Sequence, residues 1–365
     1  MAFVSELWYG AGIASQSARA LLTPASWLFS AVVARRNRGY ERNLPRRTAL
    51  PALSVGNLTV GGTGKTPVAA WCTERLRKLG AHPAVVLRGY GDDEWRVHAL
   101  LNPGVPVIVS PDRVSAIITA QTKGADVAVL DDAFQHRRAA RVADFVLVSA
   151  DRWTEHVRLL PAGPYREPLS SLSRASVAII TVKSATDEMV QRVTDAVGRA
   201  APDVPIAVIR LRPGTLRLAA TLNAAATDSS RAVRKSRDTT GMLSHPPEWL
   251  AGRAVVAASA VGDPDAFEAQ LRALGADIRH AVRFADHYAY SDADAARIAA
   301  LAATAAGGVV CTLKDAVKLQ GVWPREAPPL WYVSQSVVVD RGAEALDRAF
   351  ARVLAARTAT ALTAG

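Results

Sequence analysis

One run of this chain has the residue types needed to hold a nucleoside triphosphate: Gly56-Asn57-Leu58-Thr59-Val60-Gly61-Gly62-Thr63-Gly64-Lys65-Thr66-Pro67. Glycines let a backbone wrap a phosphate and point N–H groups at it. Lys65 has the reach for the β- and γ-phosphates, and Thr66 brings a hydroxyl suited to Mg²⁺. The usual spacing has Gly where Thr59 stands, and Gly61 and Gly62 supply the missing freedom just beyond. The bland alternative is a glycine turn with a chance lysine. Context argues against it, because the run follows a strand reading over 51–55 and opens a helix reading over 67–79. Pro67 suits a first helical turn, and Gly80 suits the stop.

Other polar groups stand where such a ligand would need them. The apolar run 125–130 ends in Asp131-Asp132, as a strand delivering carboxylates to a metal would, although an Asp turn or helix cap is the ordinary alternative. Arg88-Gly89-Tyr90-Gly91-Asp92-Asp93-Glu94 follows the strand reading at 84–87. In an open parallel sheet, such loops line the ligand crevice. Asp93 is a candidate proton acceptor there, against the plain reading of a solvated acidic loop. Gln135-His136-Arg137-Arg138 continues from the paired aspartates. The Pro-rich loop Leu159–Pro168 presents Arg166 and Glu167, either to a phosphate or substrate or as a surface salt bridge. His287, in Phe284-Ala285-Asp286-His287-Tyr288, is a candidate general acid/base, though most lone histidines are not catalytic.

These residues need a framework, and the pattern supplies one. Apolar runs at 105–109, 144–148, 177–181 and 205–211 alternate with helical stretches at 112–122 and 186–200, which predicts a doubly wound parallel α/β sheet. Residues 219–247 are rich in Ala, Ser, Thr, Asp and Arg and read as a linker. A second α/β unit then begins near 253 and ends in an amphipathic helix over 342–357. The expected divisions are an N-terminal amphipathic segment at 1–45, a phosphate-loop α/β domain at 46–215, a linker or insertion at 216–250 and a C-terminal α/β domain at 251–365.

Composition narrows the partners. With 44 basic and 33 acidic residues the chain carries +11, which favours a polyanion. No apolar run reaches the roughly 18 residues that a membrane span needs. Cys72 and Cys311 are far apart and read as buried thiols. Residues 7–33 mix Leu, Val and Trp and lead into Arg35, Arg36, Arg38 and Arg42. That pattern suits a helix lying on an anionic bilayer as well as one packed on its own domain.

Taken in order, these strings resemble the tetraacyldisaccharide 4′-kinase (lipid A 4′-kinase) family. The likeness rests on 55–67, Arg88-Gly89-Tyr90-Gly91, Asp131-Asp132 with Gln135-His136-Arg137, Leu160–Pro168, Phe284 with Asp286-His287, and Thr312 with Lys314–Lys318. It implies a P-loop NTPase-like domain with a second, smaller α/β domain. The implied reaction moves the γ-phosphate of ATP, with Mg²⁺, to the 4′-hydroxyl of tetraacyldisaccharide 1-phosphate, giving lipid IVA. ATP would lie on Thr59, Gly61, Gly62, Thr63, Gly64, Lys65 and Thr66, and the metal on Thr66, Asp131 and Asp132. Asp93 and His287 resemble the family's catalytic pair, with Lys65 beside them. Arg113, Gln135, His136, Arg166 and Glu167 fall to substrate and phosphate. The resemblance also implies peripheral attachment to the cytoplasmic face of the bacterial inner membrane, with no nucleic acid and no obligate protein partner. It favours membrane contact for the N-terminal segment. With His287 in the second domain and Asp93 in the first, closure is expected to complete the site. The competing expectation is a P-loop kinase or NTPase with another acceptor. Departures are a short segment between Gly91 and Asp93, which leaves Asp92 as the alternative carboxylate, Ala133 for a common Gly, Val261-Gly262-Asp263-Pro264 at a glycine-richer turn, and an insertion at 219–247.

Overall fold

The computed structural model describes residues 2–89, 93–222, 243–286 and 288–362. Gly91, Asp92, His287 and most of the expected linker, 223–242, lie outside the described residues. The chain forms two compact units. The first comprises Met1–Tyr90, Asn102–Arg210 and Val337–Gly365, and the second Gly91–Leu101 and Leu211–Ser336.

The first unit opens with helices α1 (Ala2–Tyr9) and α2 (Ile13–Arg42). Its strands are β1 (Ala52–Asn57), β2 (Pro83–Leu87), β3 (Val107–Val109), β4 (Val127–Asp131), β5 (Ala143–Ser149), β6 (Val177–Val182) and the start of β7 (Ile206–Leu218). They lie in the order β7-β6-β5-β1-β4-β2-β3, and neighbouring strands among them pair in parallel. β1, β2, β4 and β6 are buried along their whole length, as strands covered on both faces must be. α3 (Lys65–Lys78) and α5 (Arg113–Thr122) pack on this sheet, as does α6 (Asp187–Ala200), whose Val190, Val193 and Val197 make a buried stripe.

α4 (Glu94–Leu101) belongs to the second unit, although its sequence lies between two strands of the first. Its Val97, with Leu100 and Leu101, joins a core of Val256, Ile298, Val309 and Leu319. The second unit also contains β8 (Ser244–His245), β9 (Ala254–Ser259), α7 (Pro264–Ala273), β10 (Asp277–Arg283), α8 (Asp292–Leu301), β11 (Val309–Thr312) and α9 (Leu313–Leu319), with the start of β12 (Leu330–Arg341). Its parallel strands run β10-β9-β11-β12, and β8 pairs antiparallel with the end of β7.

Two boundaries differ from expectation. The segment holding Asp93 was expected in the phosphate-loop domain, but the apolar face of α4 buries in the second unit. The last helix, α10 (Ala343–Leu362), was expected to close the C-terminal domain. Instead, it packs on the first unit, where Phe350 meets Trp71 and Phe145 edge-on at 5.7 and 5.5 Å. Arg357 of α10 also pairs with Asp126.

Candidate active site

In the first unit, β1 runs into the glycine run and α3 leaves it. Gly61 and Gly64 have φ of 108° and 86°, a region in which a Cβ is strained. The loop is tied from behind. Asn57 Nδ2 donates to Thr63 Oγ1 at 2.8 Å, Thr181 Oγ1 to the Thr63 carbonyl at 3.0 Å, and Lys183 Nζ to the Gly62 carbonyl at 3.0 Å. Asp151 in turn holds the Lys183 loop, accepting from the backbone N–H groups of Lys183, Ser184 and Ala185. Asn57, Thr181, Lys183 and Asp151 were not singled out from the sequence. A lysine directly after an apolar strand was the only local sign.

Pairing with β1 carries β4 to the same edge of the sheet, with Val55 opposite Asp131. Thr66 and Asp131 are 9% and 7% exposed, two hard oxygen donors at the ends of neighbouring elements. Asp132 sits at φ 50°, a left-handed conformation that Asp tolerates better than most residues. Its carboxylate faces cations: Lys65 Nζ at 3.8 Å, and Arg166 Nη1 at 3.3 Å from both oxygens. Arg166 gets there because its loop is strapped to the glycine run. Thr59 bridges Tyr165, Val60 N–H donates to the Pro164 carbonyl at 2.8 Å, and Arg166 N–H to the Leu58 carbonyl at 2.7 Å. Backbone pairing between the glycine run and the distant Pro-rich loop thus brings Thr59, Lys65, Asp132 and Arg166 together.

Glu167 stands elsewhere than expected. It was read as presented to a ligand, but its side chain is fully buried. Arg36 Nη2 donates to it at 2.7 Å and Arg174 Nη2 at 2.5 Å, with Asn37 Nδ2 at 3.4 Å. A carboxylate so enclosed is stable only because cations neutralise it, so it serves as an internal anchor for α2 rather than a substrate contact. Gln135 donates to the Asn57 carbonyl at 2.8 Å, steadying the end of β1. Burial, and then the charges of Arg113, Arg138, Arg141 and Arg88, hold the His136 imidazole below its ordinary range. Arg113 is 2% exposed, with Nη1 on the Ser110 carbonyl at 2.6 Å. This gathering of arginines creates a positive field suited to a phosphate.

α2 presents its faces the opposite way from an ordinary surface helix. Ser15, Arg19, Ser26 and Val33 form the buried stripe, whereas Leu21, Trp27, Leu28 and Val32 are exposed at 82%, 70%, 70% and 58%. The buried polar groups are satisfied. Arg19 Nη1 donates to the Leu7 and Gly10 carbonyls at 2.7 and 2.8 Å. Ser26 Oγ donates to the Leu159 carbonyl at 2.9 Å and accepts from Ala162 N–H at 3.0 Å. No described helix is long and apolar enough to cross a membrane.

In the second unit, Asp93 is 7% exposed just before α4, with Lys318 Nζ 3.2 Å from its Oδ2. The loop 284–290 packs its aromatics together: the Phe284, Tyr288 and Tyr290 rings lie 4.7–5.6 Å apart. Tyr290 O–H donates to the buried Asp315 at 3.0 Å. Closure was expected because Asp93 and His287 were placed in different domains. The segments carrying them both belong to the second unit, so that reason for closure is removed.

Comparison with known proteins accounts for this collection of parts. Residues 18–355 match the family model described as tetraacyldisaccharide-1-P 4′-kinase. A tetraacyldisaccharide 4′-kinase of Halorhodospira halophila is 33% identical over 350 residues, covering 90% of this chain and 91% of that protein. One from Anaeromyxobacter sp. is 34% identical, covering 96% and 98%. Among solved structures, LpxK from Aquifex aeolicus in complex with ATP matches with a TM-score of 0.67 and 26% identity, over 92% of this chain and 99% of that one. The chain therefore belongs to the tetraacyldisaccharide-1-P 4′-kinase family.

Proposed function

We propose that this chain is an ATP-dependent kinase that phosphorylates the 4′-hydroxyl of a tetraacylated disaccharide 1-phosphate, giving lipid IVA. The observation carrying the donor half is the corner after β1, where Gly61, Gly64, Lys65 and Asp132 meet beside Thr66 and Asp131. The solved relative from Aquifex aeolicus holds ATP, which supports the same nucleotide here.

Lys65 and the backbone amides at the start of α3 would stabilise charge developing on the β- and γ-phosphates. Thr66 and Asp131 have the oxygen donors that Mg²⁺ prefers. When bound, Mg²⁺ would neutralise oxygens of the triphosphate. Asp132, already between Lys65 and Arg166, aims those two cations rather than serving as first metal ligand. Asp93, with His287, would take the proton from the sugar hydroxyl. The arginines around His136 would attract the anionic acceptor.

The exposed apolar stripe of α2 supports attachment to a bilayer. Each such side chain contributes roughly 1.5–3 kcal/mol on entering an apolar phase, and Arg35, Arg38 and Arg42 follow along the helix. Attachment to anionic vesicles that survives Trp27→Ser with Leu28→Ser would exclude the stripe as the contact.

The test is transfer of labelled γ-phosphate to the tetraacyl disaccharide 1-phosphate, with soluble glucosamine as rival acceptor. The intact chain is expected to give the 4′-phosphorylated lipid, and Lys65→Ala to lose roughly 100–1,000-fold in rate. No lipid product, or equal use of the soluble sugar, would sink the acceptor assignment.

A further inference from the structure

The reading of Asp93 as proton acceptor leaves open how a carboxylate just before a short helix is kept in place. Asp93 Oδ2 is buried and accepts no hydrogen bond among the described residues; Lys318 Nζ, 3.2 Å away, is its ionic partner. The side chains are 15% exposed for Lys318 and 8% for Asp93, so the pair is little screened. Lys318 is fixed through its own helix. Thr312 caps α9, its Oγ1 accepting from Asp315 N–H and donating to Asp315 Oδ2 at 2.6 Å. Asp315 lies three residues before Lys318, on the same face. Its carboxylate also accepts from Ala260 N–H at 2.9 Å and from Tyr290 O–H at 3.0 Å. Tyr290 ends the loop that carries His287. One buried carboxylate, Asp315, therefore ties down both the loop with the second candidate acid/base and the helix whose lysine grips the first.

We propose that Lys318, seated by Asp315, is a positioning residue that aims the Asp93 carboxylate at the acceptor hydroxyl. This rests on Asp93 being the proton acceptor. Phosphoryl transfer through a loose transition state asks little of a base's strength and much of its aim. An ammonium anchored to a second element supplies aim by holding one carboxylate oxygen and leaving the other for the incoming proton.

The experiment measures kcat and both KM values for Lys318→Met, Lys318→Gln, Lys318→Arg, Asp93→Asn and the Asp93→Asn/Lys318→Met double variant. Lys318→Met is expected to lower kcat roughly 10–100-fold with the KM for ATP unchanged. Lys318→Arg should recover part of that loss. In the Asp93→Asn background, Lys318→Met should cost less than about threefold more, because two residues acting as a unit are not additive. Should Lys318→Met melt below the assay temperature, Lys318→Gln, which keeps most of the stem, carries the test with the same signs. An intact kcat, a rise confined to the acceptor KM, or a full multiplicative loss in the double variant would each overturn the proposal. Unimpaired turnover by Asp93→Asn alone would instead overturn the reading of Asp93, whatever Lys318 does.

Discussion

Both units turn a parallel strand into a helix, and the two corners end in opposite ways. After β1 the chain enters α3 through Gly64, at φ 86° and with no side chain capping the helix. After β9 it enters α7 through Asp263, whose Oδ1 accepts from Ala266 N–H at 3.3 Å, with Pro264 in the first turn. Both helix starts carry the partial positive charge of aligned peptide dipoles. At the second corner a carboxylate from the chain itself meets that charge. At the first no side chain caps the helix, and a lysine is added. Anion binding at such a corner depends less on the strand–helix geometry, which the units share, than on whether the sequence has already filled the helix end.

The sharpest way to break this comparison is to make the first corner resemble the second. Gly64→Asp puts a carboxylate at the start of α3 on a residue type that tolerates positive φ. ATP affinity, followed by calorimetric titration, should fall on the order of 100-fold, because like charges brought together cost several kcal/mol. Affinity within threefold of the parent would refute the idea that the unfilled end matters. The reverse change is milder. Asp263→Ala removes a cap and should lower stability by about 1 kcal/mol in urea unfolding, leaving ATP affinity as it was. A loss of ATP binding there would mean the two corners are not independent. The smallest effect is electrostatic. His136 titrates below the ordinary 6.5 because burial and four arginines oppose its charge. A lowered folded-state pKa means the unfolded chain takes up the proton first. The stability from this group is therefore full above about pH 6.5 and is lost as pH falls below it. Inorganic phosphate bound among those arginines should raise the His136 midpoint in an NMR titration. An unmoved midpoint would place the phosphate elsewhere.

What could be read from the sequence was what short stretches decide. The glycine run, its strand and its helix are local, and so is the apolar strand delivering Asp131 and Asp132. Long-range docking was less legible. Nothing around Glu167 reveals that Arg36, 131 residues earlier, closes over it, and a charged pair in a Pro-rich loop reads equally well as exposed. The segment containing α4 follows a strand of the first unit, but its Val97, Leu100 and Leu101 match the second unit's apolar surface. α10 likewise follows the last strand of the second unit, and Phe350 finds its partners in Trp71 and Phe145. In each case partner choice rests on the shape of surfaces built from distant sequence.

The inverted faces of α2 have a consequence for the order of events during synthesis. Its polar stripe is completed by Leu159, Ala162 and Glu167, the last lying 131 residues after Arg36. At roughly 5–20 residues per second, a ribosome needs about 7–26 s to make that interval. For much of it the arginine-flanked, Trp-bearing helix has been made without its docking surface, while its apolar side is already complete. The helix thus has its apolar face complete before the surface that covers its polar face has been made.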